Sequence, residues 1–98
     1  NLIKEKDSEG CLPIHWAAKH GKVAVLPHVF DSTIVDSEDA TSSQWTPLHY
    51  AASSNKVDAA KWLLQNGAER SKKDSFGRTP LDLASERSYL AMMDVLKS

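Results

Sequence analysis

Short apolar blocks alternate with polar turns along the chain, and three of these blocks are copies of one pattern. The first copy, at 12–18, reads LPIHWAA; it returns at 46–52 as TPLHYAA and, more weakly, at 79–85 as TPLDLAS. The copies start at residues 12, 46 and 79, so they lie 34 and then 33 residues apart. This period is that of one supersecondary unit rather than of a helix face or a heptad. The pattern therefore predicts a repeat protein.

Each copy carries the signals of a helix, a turn and a second helix. A Thr before a Pro predicts a helix start, because the hydroxyl caps a free amide and Pro is tolerated at the first helical position. The breaks at 20–21 and 54–55 contain Gly and Asn, which tolerate the left-handed conformation that ends a helix. A second apolar helix follows, as at 57–64. Helices of about eight to ten residues are marginal alone in water, so the copies must stack to bury their faces.

The repeated unit resembles the ankyrin repeat, whose outline is Asp-x-x-Gly-x-Thr-Pro-Leu-His-x-Ala-Ala-x-x-Gly followed by an apolar helix that ends in Leu-Leu-x-x-Gly-Ala. The likeness covers residues 7 to 97, and all three copies contribute to it. The matching residues are Asp7, Gly10, Pro13, Ile14, His15 and Gly21 in the first copy; Thr46, Pro47, Leu48, His49, Leu63, Leu64, Gly67 and Ala68 in the second; and Asp74, Gly77, Thr79, Pro80 and Leu81 in the third.

The resemblance implies an all-α ankyrin-repeat solenoid of about three helix-turn-helix repeats joined by β-turn or loop fingers. We expect a single domain over 1–98, with repeats at approximately 7–40, 41–73 and 74–98, and the tail of a preceding repeat at 1–6. The first copy is as apolar as an internal repeat, whereas the third is more polar. We therefore expect an array that is open at its beginning and closed at its end. The alternative is that the first residues fold back and cover the first helix pair.

Two departures concern the Thr–His pair that begins each repeat in the family. Leu12 replaces the Thr of the first copy, so the hydroxyl contact to His15 cannot form there. Thr46 and His49 keep both partners, and we expect their side chains to touch. In the third copy Asp82 replaces the His and can still accept a bond from the Thr at the helix start.

Other departures fall in turns and helix ends. Gln44 and Asn55 stand where glycine is usual, and Pro27 is tolerable only if the second helix of the first copy starts late. The segment 31–43 is acidic and rich in Ser and Thr, and it replaces the usual Gly-Ala helix ending. We interpret it as a long loop. It is either a solvated connector or, alternatively, a partner contact or a phosphorylation site.

Composition limits the classes of function. With 41% hydrophobic and 26% charged residues, the 98-residue chain is too apolar for disorder and suffices for one small domain. A formal net charge of −1 gives no global attraction to nucleic acid, and no apolar run approaches the ~20 residues that span a bilayer. The single cysteine, Cys11, has no internal disulfide partner, which suits a reducing compartment. We expect an intracellular, cytoplasmic, monomeric protein without nucleic-acid binding or membrane insertion by this segment.

The sequence offers little for metal binding or catalysis. His15 and His49 occupy equivalent repeat positions, so they should lie one repeat apart, and the family uses this His for a structural hydrogen bond. His15 and His20 are five residues apart, whereas two side chains of one helix that bind the same metal ion are three or four residues apart. No nucleophile elbow, phosphate-binding Gly loop or paired acid–base motif is present. We expect no enzyme activity, no metal and no cofactor.

The surface is where the resemblance places function. Stacking aligns one face of the first helices into a strip that forms the concave binding groove in the family, and the turn tips add to it. Trp45 and Phe76 are apolar residues at turn tips, and we expect them to be exposed and near each other. For Trp16 and Tyr50 the alternative is packing between the first helices. The candidate partner-binding residues are Glu9, Cys11, Trp16, Lys19, His20, Ser43, Trp45, Tyr50, Ser53, Ser54, Phe76, Arg78, Glu86 and Arg87.

Three functions fit this pattern. The first is a protein-interaction module that binds another protein through the turn tips and the concave face of the first helices. The second is a regulatory or positioning segment of a larger enzyme or channel whose activity lies outside these residues, and the third is an architectural spacer. A basic cluster at Arg70, Lys72, Lys73 and Arg78 could contact nucleic acid, but such a cluster is more often solvated.

Overall fold

Six short helices form the part of the chain that this computed structural model describes, residues 12–29 and 44–97. No strand occurs within those two ranges, and the prediction of an all-helical repeat fold is confirmed. The helices are α1 Pro13–Lys19, α2 Leu26–Val29, α3 Pro47–Ser53, α4 Val57–Gln65, α5 Pro80–Glu86 and α6 Leu90–Lys97.

The helices are arranged in two layers. The first helices of the three copies, α1, α3 and α5, pack side by side in chain order. The second helices lie behind them, and α4 packs against α6 as well as against α3. Each helix pair therefore buries its apolar side against its own partner and against the neighbouring copy, as expected for helices too short to be stable alone.

Small residues allow this close packing. Ala17 and Ala18 in α1 and their counterparts Ala51 and Ala52 in α3 have no exposed surface. Larger side chains fill the space between the layers, and they are also fully buried. They are Ile14, Leu26, Leu48, Leu63, Leu83 and Met92.

The Thr–His pair at the start of α3 forms as predicted. Thr46 Oγ1 lies 2.7 Å from His49 Nδ1, which confirms the expected contact. The backbone N–H of Thr46 also donates to His49 Nδ1, at 3.1 Å. In the first copy Leu12 supplies no hydroxyl, but its backbone N–H donates to His15 Nδ1 at 2.9 Å. The backbone half of the motif therefore survives the loss of the Thr.

The same arrangement begins α5 with a carboxylate in place of the imidazole. The backbone N–H of Thr79 donates to Asp82 Oδ2 at 3.0 Å, and the backbone N–H of Asp82 donates to Thr79 Oγ1 at 3.2 Å. The expectation that Asp82 accepts a bond from this Thr is confirmed, although the donor is the Thr backbone.

The first helix of every copy ends on a left-handed residue. Gly21 has a φ of 66°, and the equivalent residues Asn55 and Ser88 have φ values of 56° and 58°. Gln44, the other residue that stands where glycine is usual, has a φ of 54°. The backbone therefore keeps the glycine conformation after the glycine is replaced, at a steric cost of about 1 kcal/mol for a non-Gly residue.

Pro27 is accommodated by a late helix start, as expected. Helix α2 begins at Leu26, whereas the position equivalent to the start of α4 is Val23, three residues earlier. Pro27 is thus the second residue of the helix, where its missing N–H interrupts no helical hydrogen bond.

Several expectations fall on residues that the structure does not describe. They are the 1–6 tail, the 31–43 segment, and the candidate residues Glu9, Cys11 and Ser43. The predicted difference between an open beginning and a closed end of the array also depends on residues that the structure does not describe. In the third copy Ser85 and Lys97 are exposed, where the second copy has buried Ala52 and half-buried Leu64. The opposite end lies outside the described residues.

Candidate functional site

Trp16 is the most exposed aromatic residue on the first-helix layer. Its side chain projects from α1 with 48% of its surface exposed. The His20 ring lies beside it, with ring centroids 5.0 Å apart at 47°. Lys19 and His20 are both exposed at the end of the same helix. An indole left in water among polar neighbours is typical of an interaction hot spot, so the alternative of packing between the first helices does not account for Trp16.

Tyr50, the counterpart of Trp16 in the second copy, is half-buried. Its ring meets His15 edge to face at 5.6 Å and Trp45 edge to face at 5.2 Å. These are favourable aromatic geometries, so Tyr50 packs between α1 and α3, as the alternative held. Its counterpart in the third copy, Leu83, is completely buried. The exposure of the side chain at this repeat position therefore decreases from the first copy to the third.

Trp45 differs from the expectation. It is half-buried rather than substantially exposed, so that part of the prediction is wrong. The indole Nε1–H donates to Asp74 Oδ2 at 2.9 Å, and the ring stacks on His49 with centroids 6.4 Å apart and planes at 14°. The hydrogen bond to the buried Asp74 and the ring contact with His49 together hold the Trp45 side chain against the protein.

Phe76 is exposed, as expected, with 66% of its surface in solvent. Its backbone N–H donates to Asp74 Oδ1 at 2.9 Å, while Trp45 donates to the other oxygen of the same carboxylate. The two turns that carry Trp45 and Phe76 are thus adjacent through Asp74.

Asp74 connects the second and third copies, and it is not among the site residues predicted from the sequence. Its side chain is fully buried. Oδ1 accepts from the backbone N–H groups of Phe76 and Arg78, both at 2.9 Å, and Oδ2 accepts from Trp45 Nε1 and Arg78 Nε. The signal was present, because Asp74 is the first residue of the Asp-x-x-Gly turn in the family pattern.

The pKa of Asp74 reflects two opposing effects. Burial of the carboxylate raises its pKa, but the hydrogen bonds from Arg78, Trp45 and Phe76, together with the Arg78 charge, outweigh it. The pKa therefore lies below its ordinary value. Asp74 remains a charged acceptor for four donors across the pH range in which most proteins work.

The guanidinium group of Arg78 makes its contacts within the chain. Nε lies 3.1 Å from Asp74 Oδ2 and Nη1 lies 3.4 Å from Glu86 Oε1, while the group sits 5.3 Å from the centre of the Phe76 ring. This links the third turn to the end of α5. Of the candidate residues in the third copy, Phe76 and Arg87 are the ones most open to a partner.

His49 also joins neighbouring copies. It is completely buried, and its Nε2 lies 2.9 Å from the backbone carbonyl of Arg78. Because the Thr46 N–H donates to Nδ1, the ring is neutral with its hydrogen on Nε2, and that hydrogen is donated to the Arg78 carbonyl. The role that the resemblance implied for this His, a structural hydrogen bond, is the one that the geometry supports.

Two further features bear on the kinds of site available. Among the residues described, no group of three or more His, Cys, Asp or Glu side chains is arranged to hold a metal ion. None of the six helices has the length and hydrophobicity needed to cross a membrane.

The pattern, the two-layer helical stack and the Thr–His–carbonyl links together define an ankyrin-repeat protein. A sequence profile for three copies of the ankyrin repeat matches residues 14–98, and the chain belongs to the ankyrin-repeat family. Ankyrin repeats are protein-interaction modules, and the repeat itself is a non-catalytic fold.

Curated relatives share the repeats but are much longer. The chain is 34% identical over 83 residues to alpha-latrocrustotoxin-Lt1a of Latrodectus tredecimguttatus, covering 85% of this chain and 6% of that protein. It is 26% identical over 98 residues to the transient receptor potential cation channel subfamily A member 1 of Homo sapiens, covering 97% and 9%. It is 29% identical over 97 residues to the probable 26S proteasome regulatory subunit p28 of Saccharomyces cerevisiae, covering 98% and 42%. The chain spans less than half the length of each of these relatives.

Proposed function

We propose that this chain binds a partner protein through its first-helix layer and the adjoining turn tips. The surface that we name the first-helix surface comprises eight residues of α1, α3, α5 and their ends. They are Trp16, Lys19, His20, Tyr50, Ser53, Ser54, Glu86 and Arg87. Phe76 extends it at the third turn, and Glu9, Cys11 and Ser43 remain predicted contacts at the other turns.

The exposure of Trp16 is the observation that carries this proposal. Its equivalent in the second copy is half-buried and its equivalent in the third is fully buried, so the repeat does not require exposure at this position. Leaving a Trp side chain 48% exposed forgoes burial that would stabilise the fold. Interfaces gain most from large aromatic side chains in a polar surround, and Lys19 and His20 supply that surround.

The roles of Trp45 and Arg78 in the proposal change. The sequence predicts both as direct contacts, but in the structure both are held by Asp74. We propose that they act by fixing the turn from which Phe76 projects, because the backbone N–H of Phe76 is bound to the same carboxylate.

A second candidate function is favoured by the comparisons. The matched region is 6% of one relative and 9% of another, so the repeats in those proteins accompany a much longer chain. This chain would then be a positioning or regulatory segment that holds a separate domain of its own protein, and the same first-helix surface would face that domain.

An affinity measurement with matched variants tests the proposal. Proteins captured from a cell extract by the wild-type chain are compared with those captured by Trp16→Ala and by Phe76→Ala. Leu90→Ala is the control, because Leu90 is a 70% exposed apolar residue at the start of α6, outside the first-helix surface. A partner is then purified and its Kd is measured.

We expect Trp16→Ala to weaken binding by about 30-fold or more, which corresponds to a hot spot of about 2 kcal/mol, while Leu90→Ala leaves it unchanged. The thermal unfolding curves of all three variants should show that the fold is intact. Equal losses in Trp16→Ala and Leu90→Ala would contradict the assignment of the surface. If the only ligand is another domain of the same polypeptide, the second candidate function holds.

A further inference from the structure

The structure divides the basic cluster of the sequence into two parts. Arg78 is neutralised by Asp74 and Glu86. Arg70 points elsewhere, and its Nη1 donates to the backbone carbonyl of Leu96 at 3.2 Å, which brings it to the end of α6. Arg70 therefore belongs with the second-helix layer rather than with the turn tips.

Further cations lie close to Arg70 along the chain or directly beside a residue that it contacts. Lys97 follows Leu96 directly, and Lys72 and Lys73 follow Arg70 in the same turn. Together with Lys61 of α4 they form what we name the basic outer face. Within the described part of the chain, Lys61, Lys72, Lys73 and Lys97 form no ion pair, in contrast to Arg78.

The basic outer face has an excess of positive charge in an otherwise acidic chain. Its five cations are Lys61, Arg70, Lys72, Lys73 and Lys97, and their carboxylate neighbours along the chain are Asp58, Glu69 and Asp94, which leaves two positive charges. Asp74, next to Lys73, is already paired with Arg78. The whole chain has a formal net charge of −1. Such a separation of charge attracts and orients an anionic partner, and it acts over about 10 Å at ordinary salt concentrations.

A shallow, open groove lies in this face between α4 and α6. It has a volume of about 270 Å³ and is lined by Lys61, Leu64, Gln65, Arg70 and Val95. The lining therefore combines two cations and an amide with two half-buried aliphatic side chains, and it contains no carboxylate. An occupant that matches this lining carries negative charge and an apolar group at the same time.

We propose that the basic outer face binds an acidic segment of a partner protein, at a site separate from the first-helix surface. A carboxylate of that segment pairs with Lys61 and Arg70, and an aliphatic side chain lies in the open groove against Leu64 and Val95. Further carboxylates meet the lysines of the 72–73 turn and of the α6 end. The lining contains no aromatic residue on which a base could stack, so the chemistry favours an acidic peptide over a single-stranded nucleic acid.

Titration of the full chain with a synthetic peptide tests this proposal. The probe is a fluorescein-labelled peptide of sequence Glu-Glu-Leu-Glu-Glu-Leu-Glu-Glu, followed by fluorescence anisotropy and by amide chemical shifts of the ¹⁵N-labelled chain. One matched peptide has Gln in place of every Glu, and another has Ser in place of every Leu. The test variant is Lys61→Gln with Lys73→Gln, since both side chains are exposed.

The control variant is Lys22→Gln with Lys56→Gln, which removes two exposed cations that belong neither to the basic outer face nor to the first-helix surface. We expect the acidic peptide to shift amides around 61–65, 70–73 and 95–97, and to bind about fivefold or more weakly to the test variant, from the worth of two exposed ion pairs. The control variant should bind as the wild type does. The Gln peptide should not bind, and the Ser peptide should bind more weakly.

Three results would overturn the proposal. One is a set of shifted amides centred on the first-helix surface. Another is an equal loss of affinity in the test and control variants, which would indicate a general charge effect. The third is tighter binding of an oligothymidylate or of phosphatidylserine vesicles than of the peptide through the same lysines, which would assign the face to nucleic acid or to membrane instead.

Discussion

Replacing Asp74 by Asn tests how the second and third repeats are held together. The substitution keeps the size of the side chain but leaves it with one acceptor oxygen instead of two. If that oxygen keeps the backbone N–H groups of Phe76 and Arg78, the new NH₂ group faces Trp45 Nε1 and Arg78 Nε, which are both donors. Two hydrogen bonds are then lost, and the indole N–H loses its acceptor in a partly buried place.

The size of the effect follows from the two contacts. A hydrogen bond to a charged group contributes about 1.5–3 kcal/mol, which applies to the Trp45 contact at 2.9 Å because the Asp74 side chain is fully buried. The Arg78 side chain is 32% exposed, so its contact is screened by solvent, and we assign it about 0.5–1 kcal/mol. Asp74→Asn should therefore lower the free energy of unfolding by roughly 2–4 kcal/mol.

A double-mutant cycle with Trp45→Phe isolates the contact between the turns. Trp45→Phe alone removes the donor and should cost about 1.5–3 kcal/mol. In the Asp74→Asn background the same change removes a donor that has lost its acceptor, so it should cost much less. Urea unfolding followed by circular dichroism should then show the double variant to be at least about 1 kcal/mol more stable than the sum of the single effects predicts. Additivity within about 0.5 kcal/mol would refute the reasoning.

The pH dependence of the same variant gives a second readout. The pKa of Asp74 is lower in the folded protein than in the unfolded chain, where it is about 3.9. The charge of Asp74 therefore contributes its full stabilisation above the pKa of the unfolded chain, and this contribution is lost as the pH falls through the pKa of the folded protein. The difference in unfolding free energy between the wild type and Asp74→Asn should be constant near neutral pH and should shrink below about pH 4. A difference that is unchanged down to pH 2 would show that the charge of Asp74 contributes nothing.

Further predictions concern the start of α3 and three helix ends, and urea unfolding measures all of them. Thr46→Ala should lower the free energy of unfolding by more than the ~1 kcal/mol of a lost helix cap, because the hydroxyl also contacts the buried His49 imidazole at 2.7 Å. Thr79→Ala is the matched control, since its partner Asp82 is exposed, and it should cost no more than a lost cap. Equal costs for the two variants would count against the imidazole contact. Ser88→Gly should stabilise by roughly 0.5–1 kcal/mol because it relieves a φ of 58°, while Asn55→Gly should be nearly neutral because Asn tolerates this region. Gly21→Ala should destabilise, since its φ is 66° and its Cβ would lie 2.9 Å from Lys56 Cδ; a neutral Gly21→Ala would refute the strain argument.

The fold was predictable because repetition is a property of the sequence alone. Three copies at a regular spacing indicate a repeat of one helix pair, and the Thr-Pro and Ala-Ala signals locate the first helix of each copy. The structure begins α3 and α5 at Pro47 and Pro80, where those signals are found. The late start of α2 was also predictable, because the backbone geometry of Pro27 restricts where a helix can begin.

The candidate site was only partly predictable, since equivalent repeat positions do not have equivalent surroundings. Trp16, Tyr50 and Leu83 share one position, yet they range from 48% exposed to completely buried. The hydrogen bond from Trp45 joins it to a residue 29 positions away. A pattern that assigns Trp45 to a turn tip carries no information about that acceptor, and so its exposure was overestimated.

The structure separates residues that hold the repeats together from residues that remain open to a partner. Trp45, Asp74 and Arg78 satisfy one another, so they contribute to stability and have little capacity left for a ligand. Trp16 and Phe76 are exposed aromatic residues whose side chains can enter an interface without first giving up a buried contact. If this division is correct, Trp16→Ala changes affinity with little change in unfolding free energy, whereas Trp45→Phe changes unfolding free energy first. Partner binding can then diversify at the exposed side chains while the Asp74 contacts keep the repeats in register, because Phe76 binds Asp74 through its backbone N–H and not through its ring.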